Sequence, residues 1–307
     1  MKILKQIFLF IIIVINSNII QAQLSFFDAN DSLVKNYHAS LYQYNFTETS
    51  NYIQILQKSA NNTDRYLFQV NYLWWLIITG DQKEENFQQC FHILDEAEKQ
   101  IELHQQNSEQ EELTALMIYL YKARIHVFNS HYYKALVGYS KMLSILKKLM
   151  DAENETISED KKLVLGLYNY SIGKIKEKYP MFYPYFLLLP KADFELGKKW
   201  VIESIKSKNV LVKTEALYFL MKISLEVDKN YDYAQLFANQ LVNLYPENIL
   251  FLFYQYQGYY HQNNTDEAKK VLRKMLMSAD KLEYLSSAQK THFITIIEKD
   301  FRLPDEK

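Results

Sequence analysis

The stretch that decides the fold runs from Glu215 to Met275, and it holds one pattern twice. Tyr233-Ala234-Gln235-Leu236-Phe237 and Glu267-Ala268-Lys269-Lys270-Val271 each place an alanine at the start of a helix-like run, and the two alanines lie thirty-four residues apart. Pro246 follows Ala234 by twelve residues, where a unit of that length closes. Helices that cross closely need a small side chain at the point of contact and larger ones around it, and the alanines with their apolar neighbours meet that requirement.

Working outward, small residues continue the frame upstream at Ser50, Cys90, Ala135 and Gly197, separated by 40, 45 and 62 residues, with Gly197 a further 37 before Ala234. The last two units hold or nearly hold the period; the earlier ones carry longer helices or inserts. Apolar spacing predicts helices over 65–79, 84–106, 109–128, 132–150, 161–178, 193–206, 210–227, 231–245, 249–261 and 266–279, with a helix pair over 28–59 and a final helix over 282–299. Asn61-Asn62-Thr63-Asp64 and Asn263-Asn264-Thr265-Asp266 read as polar turns rich in helix-capping residues. Ala123 stands where the first helix of the third pair must be small. One region breaks the pattern. Pro180, Pro184 and Pro190, among aromatic and aliphatic residues in 179–190, predict a loop or broken helix, because proline lacks an amide donor and restricts its predecessor. Burial as a plug is the expectation for that stretch.

The period, the small residue opening the second helix and the closing proline resemble the tetratricopeptide repeat (TPR). Gly166-Leu-Tyr-Asn-Tyr170, Glu215-Ala216-Leu-Tyr-Phe-Leu220 and Tyr245-Pro246-Glu-Asn248 are similar to segments of exported bacterial TPR proteins of unassigned role. The resemblance implies an all-α, right-handed α-solenoid of about six TPR-like helix pairs plus a C-terminal capping helix. It is carried most clearly by residues 215–279 and implies a single domain over 23–307. It also implies that the first helix of each pair lines an inner surface. The TPR frame puts Arg124, Glu226, Gln257 and Tyr260 there as partner-binding residues, able to hydrogen-bond an extended peptide.

Composition agrees with a helical chain. Hydrophobic residues make up 49% and charged ones 23%, which excludes global disorder, while 6 glycines and 5 prolines are too few for the turns of a β-sandwich. Residues 1–22 have the build of a secretory signal peptide: Lys2 and Lys5, the apolar run Ile7–Ile15, and a small residue for cleavage at Ala22. The expectation is an exported protein of the periplasm, with no transmembrane span in the mature chain. Loss of the leader takes the basic residues from 35 to 33 against 36 acids, a net charge of −3 that gives no general basis for binding nucleic acid. Cys90 is the sole cysteine, so an internal disulfide, a multi-cysteine metal site and a lipid-bearing cysteine after the signal core are all excluded.

No catalytic set is legible. His-Glu-x-x-His, Gly-x-Ser-x-Gly and the glycine-rich phosphate loops are absent, and Gly138-Tyr139-Ser140 lies inside a predicted helix. His126 and His131 straddle a turn without a third ligand at metal spacing and read as packing or surface residues. Glu109, Glu111 and Glu112 read as a helix start, where acids favour the positive end. The expected function is therefore non-enzymatic and cofactor-free: a scaffold binding a protein or peptide partner. The alternative is a cell-surface glycan-binding helper, to which 25 tyrosines lend stacking faces.

Overall fold

The computed structural model describes residues 32–59, 63–103, 108–152, 157–178, 180, 183–187, 189–281 and 283–300. The signal peptide read in 1–22, the Asn61-Asn62 half of the first polar turn and the C-terminal tail lie outside them. Every element described is helical: α1 Ser32–Tyr42, α2 Phe46–Ser59, α3 Asp64–Ile78, α4 Glu84–Leu103, α5 Glu109–Phe128, α6 Tyr132–Asp151, α7 Glu159–Lys178, α8 Tyr183–Phe186, α9 Phe194–Ser204, α10 Val210–Lys222 with a π-helical turn Ile223–Val227, α11 Tyr231–Leu244, α12 Ile249–His261, α13 Thr265–Lys281 and α14 Ser287–Asp300. Helices that follow one another in sequence pack on one another, as α5 on α6 and α11 on α12 on α13. No described helix is long and apolar enough to cross a membrane.

The turns inside the pairs share one device. Tyr44, Ser130, Lys229 and Asn263 have φ of 61°, 58°, 53° and 59°, and Gly80 has 107°. Each follows a first helix and hands its carbonyls their missing donors. Ser130 N–H donates to Val127 O (2.9 Å) and His131 N–H to His126 O (2.7 Å); Asn263 and Asn264 repeat this on Tyr260 and Tyr259, Tyr44 and Asn45 on Leu41 and Ser40, Gly80 and Asp81 on Ile77 and Leu76. These are the paired bonds of the Schellman motif. A frame follows from them. At every joint but Gly80–Asp81, where α4 starts only at Glu84, the residue after the left-handed one caps the second helix, and four residues beyond the cap comes the small buried position, whose N–H donates to the cap carbonyl at 2.9–3.0 Å: Asn45/Thr49, His131/Ala135, Asn230/Ala234 and Asn264/Ala268, with Asp193/Gly197 joining after the insert. The frame corrects one sequence reading. The first small position is Thr49, fully buried, and not the half-buried Ser50; the Thr49 hydroxyl is free to enter the core because it donates to Asn45 O at 2.8 Å and shares a bond with Ser40 Oγ at 2.9 Å. Small residues are needed where expected. A Cβ on Gly197 would stand 2.6 Å from both Asn169 Cβ and Tyr170 N, so α9 touches α7 backbone to backbone.

The helices form two compact units, with boundaries inside α3, α4 and α10. The first holds the described residues of 63–67 and 91–219. There α5 begins with a capping box between Ser108 and Glu111, as the three early acids predict, and is buried on nearly every side. α9 packs on α7, and the irregular stretch between them is pinned by Tyr168 OH on Pro190 O (2.6 Å) and Asp193 N–H on Asn169 Oδ1 (2.9 Å). That stretch is no simple plug: Phe186 is buried while Tyr183 and Leu187 are 62% and 76% exposed.

The second unit holds the described residues of 32–59, 68–90 and 220–300, and it joins residues some two hundred apart. Tyr44 OH donates to Asn248 Oδ1 (2.9 Å) and accepts from Leu250 N–H (3.1 Å), while Asn248 Nδ2 donates to Tyr42 O (2.7 Å). The Tyr42 ring lies 4.8 Å from Tyr245, the Tyr44 ring 5.7 Å from Phe293, and Gln289 Nε2 donates to Thr79 Oγ1 at 2.7 Å. A one-dimensional stack, in which each repeat meets only its neighbours, does not predict these contacts.

Asn248 also caps α12 through Phe251 N–H, so one side chain serves both the cap and the closure. Asn248→Ala should cost about 3 kcal/mol in urea unfolding, against about 1 kcal/mol for Asn230→Ala, which removes a cap alone. Equal costs would mean that the Tyr42 and Tyr44 bonds contribute nothing.

Candidate functional site

Three of the four residues placed on the inner face by the sequence lie in the second unit, and two of them are held by neighbours the sequence reading missed. α10 ends in a π turn over Ile223–Val227, and Glu226 sits in it. The turn closes with Asp228 N–H on Ile223 O (2.9 Å) and Asn230 N–H on Ser224 O (2.8 Å), one residue longer than the other joints. Such insertions re-aim side chains and recur at functional sites. Beneath Glu226, Lys222 is buried at 2% exposure; its Nζ donates to Glu226 Oε1 and to Tyr254 OH (3.0 Å) and lies 4.7 Å from the Tyr254 ring centroid. Burial alone would pull the ammonium pKa down, but Tyr254 and Glu226 outweigh it and hold the pKa above the ordinary lysine value. Lys222 is thus a buried cation, and Glu226, with its side chain 38% exposed, carries the matching charge to the surface. The signal was present in the sequence as a Lys–Glu pair four residues apart on one helix.

Tyr254 belongs to α12, whose next turns bear Gln257 and Tyr260. Gln257 is half-buried, and Tyr260 is 37% exposed. Tyr260 is not a loose ring. It stacks on Tyr256 (5.8 Å, 23°) and meets His261 edge-on (5.5 Å), and His261 stacks flat on Tyr231 (4.5 Å, 12°). Burial, helped by Lys229, lowers the His261 pKa and favours the neutral ring that stacks here. Tyr256, Tyr260 and Ala268 line a cavity of about 250 Å³ at the α12–α13 turn. A wider concavity of about 730 Å³ lies beside Asp228, Tyr231, Asp232, Gln262 and Asn264. An acceptor and an aromatic ring are therefore held by buried partners, Lys222 under Glu226 and Tyr256 against Tyr260, with the Gln257 amide on the same helix as the ring.

Arg124, the fourth residue, lies in the first unit. It is 5% exposed, its two terminal nitrogens have no hydrogen-bond partner among the described residues, and its guanidinium carbon lies 5.8 Å from the Tyr121 ring centroid. Burial draws its pKa down to about 10, against the pull of Tyr121, Glu215 and Tyr218. A TPR frame aligns Cα positions but does not register how deeply the α5 face is covered, so the expected exposed cation is instead an interior one. Cys90 is fully buried, and burial pushes its thiol up, as expected of a small packing residue. No group of three metal-ligating side chains occurs among the described residues.

No protein-family model matches the chain, and no curated protein or solved structure matches it.

Glu226→Gln tests the support of the site directly. It leaves the buried Lys222 ammonium with Tyr254 alone and should cost about 1–2 kcal/mol in urea unfolding, a value discounted for the exposure of Glu226. An unchanged midpoint would show that Lys222 does not depend on it.

Proposed function

We propose that this chain is an exported, non-enzymatic interaction scaffold whose helix pairs stack in the right-handed sense of a TPR-like solenoid. About six pairs and a C-terminal cap are involved, and an extended segment of a partner protein binds against Glu226, Gln257 and Tyr260. The observation that carries the reading is the Lys222–Glu226–Tyr254 cluster. It fixes an acceptor on the π turn next to the helix that bears the amide and the ring. A partner peptide would donate backbone N–H groups or a basic side chain to Glu226 and lay an apolar side chain against Tyr260. Arg124, being buried, takes no direct part. Periplasmic location rests on the leader read in 1–22. N-terminal sequencing of the protein recovered from the cell envelope should give a chain starting at Gln23; an intact Met1 start would remove the export reading.

The tyrosine cluster supports a second reading, a glycan-binding helper. Tyr231, with His261 stacked on it, stands beside Asp232, Gln262 and Asn264, which combines a stacking face with hydrogen-bonding groups. One experiment separates the two. Peptide arrays and glycan arrays are probed with the protein and with a Glu226→Gln/Tyr260→Ala variant, well below the melting temperature of either and with the variant's helical fold checked by circular dichroism. Under the scaffold reading, peptides are retained and the variant binds them at least about tenfold more weakly, as expected for loss of a charge-assisted bond. Peptide binding that survives the double substitution removes the site, and retention of sugars alone transfers the protein to the second reading.

A further inference from the structure

The irregular stretch between α7 and α9 serves neither the repeat frame nor the proposed scaffold. Residues 179–190 carry no charged side chain, and a lysine stands at each end, Lys178 and Lys191. Three prolines interrupt the helix, and α8 within the stretch is four residues long. Its base is fixed to α7. Phe186 is buried, and the Lys176 ammonium lies 5.4 Å from its ring centroid. Tyr168 holds the Pro190 carbonyl, and Asn169 holds the Asp193 amide. The other side of α8 is uncovered: Tyr183 and Leu187, four residues apart, project into solvent. Scattered apolar side chains on a surface need no explanation, but two held outward together by a pinned base mark a contact.

Charge identifies what is contacted. Residues 174–199 hold six lysines against three acids, while the whole chain carries a net charge of −1. Of those acids, Glu177 is paired with Lys174 (3.4 Å), and Asp193 accepts Leu196 N–H (3.0 Å) as the cap of α9. Lys191 and Lys198 are exposed and have no carboxylate partner among the described residues. Protruding Tyr and Leu beside lysines match the surface of an anionic bilayer. Leucine enters the acyl boundary, tyrosine keeps its hydroxyl among the headgroups, and lysine stems lie along the surface with their ammonium groups on phosphates. A purely apolar protein groove gives no reason for a collar of positive charge on an otherwise acidic chain.

We infer that Tyr183 and Leu187 seat this protein on an anionic phospholipid surface, with Lys178 and Lys191, at the two ends of the stretch, on the lipid phosphates. The apolar pair supplies depth, and the lysines supply the preference for negative charge. The contact lies in the first unit, on residues separate from Glu226, Gln257 and Tyr260, and does not depend on the scaffold reading.

The test uses the protein as recovered from cells, with vesicles of phosphatidylcholine alone or of equimolar phosphatidylcholine and phosphatidylglycerol. Partition is measured by co-sedimentation. Depth is measured by the emission of a Leu187→Trp variant, taken as the difference from the unsubstituted chain. The apolar run Ile7–Ile15 would bind vesicles by itself where it is retained, so every comparison is between chains with the same N-terminus. Tyr183→Ser/Leu187→Ser, at two exposed positions, should weaken binding to the anionic vesicles about tenfold. Lys191→Gln should weaken it about fivefold, the contribution of one lysine near such a surface. The Leu187→Trp emission should move to the blue on anionic vesicles and stay at its value in water with phosphatidylcholine alone. The inference is overturned if the anionic vesicles do not bind, if the serine pair or Lys191→Gln binds them as the unsubstituted chain does, or if the emission is the same with both vesicles. An emission that stays at its value in water with either vesicle is the result expected of a tip covered by a protein partner, and it too overturns the inference.

Discussion

The left-handed residue at the end of each first helix is the constraint on which the rest depends. A helix leaves its last carbonyls unsatisfied, and a pair must reverse the chain within two or three residues. One residue at positive φ does both: it and the residue after it each donate an N–H to one of those carbonyls, and at every joint but Gly80 the second of the two becomes the cap of the next helix. From there the geometry is fixed. The cap carbonyl accepts from the residue four on, and that residue lands where the two helices touch, so it must be small. Thr49, Ala135, Ala234 and Ala268 are buried at 0–4% exposure because a turn five residues earlier put them there.

Left-handed backbone costs a non-glycine residue on the order of 1 kcal/mol, so each such residue needs compensation. Tyr44 makes the compensation visible. Its ring is fully buried beside Phe46 and Phe293, and its hydroxyl joins Asn248 and Leu250. A glycine at 44 would keep the turn and lose the bonds that hold the first pair to the α12 N-terminus. The long-range closure of the second unit therefore depends on a side chain that local propensity alone would disfavour. The same position elsewhere carries Ser130, Lys229 and Asn263, none with so large a buried contribution.

This explains what was legible in the sequence and what was not. Apolar spacing located nearly every helix to within a few residues, because a 3.6-residue period is written in side chains. The alanine frame was legible for the same reason wherever the small residue is Ala or Gly. It slipped at the first pair, where a threonine serves, since a hydroxyl that bonds its own turn is as compact as a small apolar group but does not look like one. The joint itself was illegible. It takes Tyr, Gly, Ser, Lys or Asn because what recurs is a backbone angle and not a side chain. Burial depth was illegible too: Arg124 reads as an inner-face cation on any helical wheel, and only packing on α5 encloses it. The Tyr44–Asn248 bond joins residues 204 positions apart, beyond anything periodicity can relate.

The π turn shows how such a frame can vary without breaking. The first helix of the fifth pair carries one residue more than the joint requires, and an extra residue in the turn would have moved Ala234 off the contact by about 100° of helix rotation. It does not: Lys229, Asn230 and Ala234 keep the spacing of left-handed residue, cap and small contact seen at Asn263, Asn264 and Ala268. The surplus is absorbed upstream, in the last turn of the first helix, where the only consequence is the direction of nearby side chains. Glu226 lies there, brought onto Lys222 and thereby onto Tyr254 of α12. At the third pair the joint likewise holds while its cap, His131, makes no side-chain cap bond. The ends of the first helices are thus the positions at which this architecture tolerates change most cheaply, and Glu226 is found there because the contact that must not move lies further on, at Ala234.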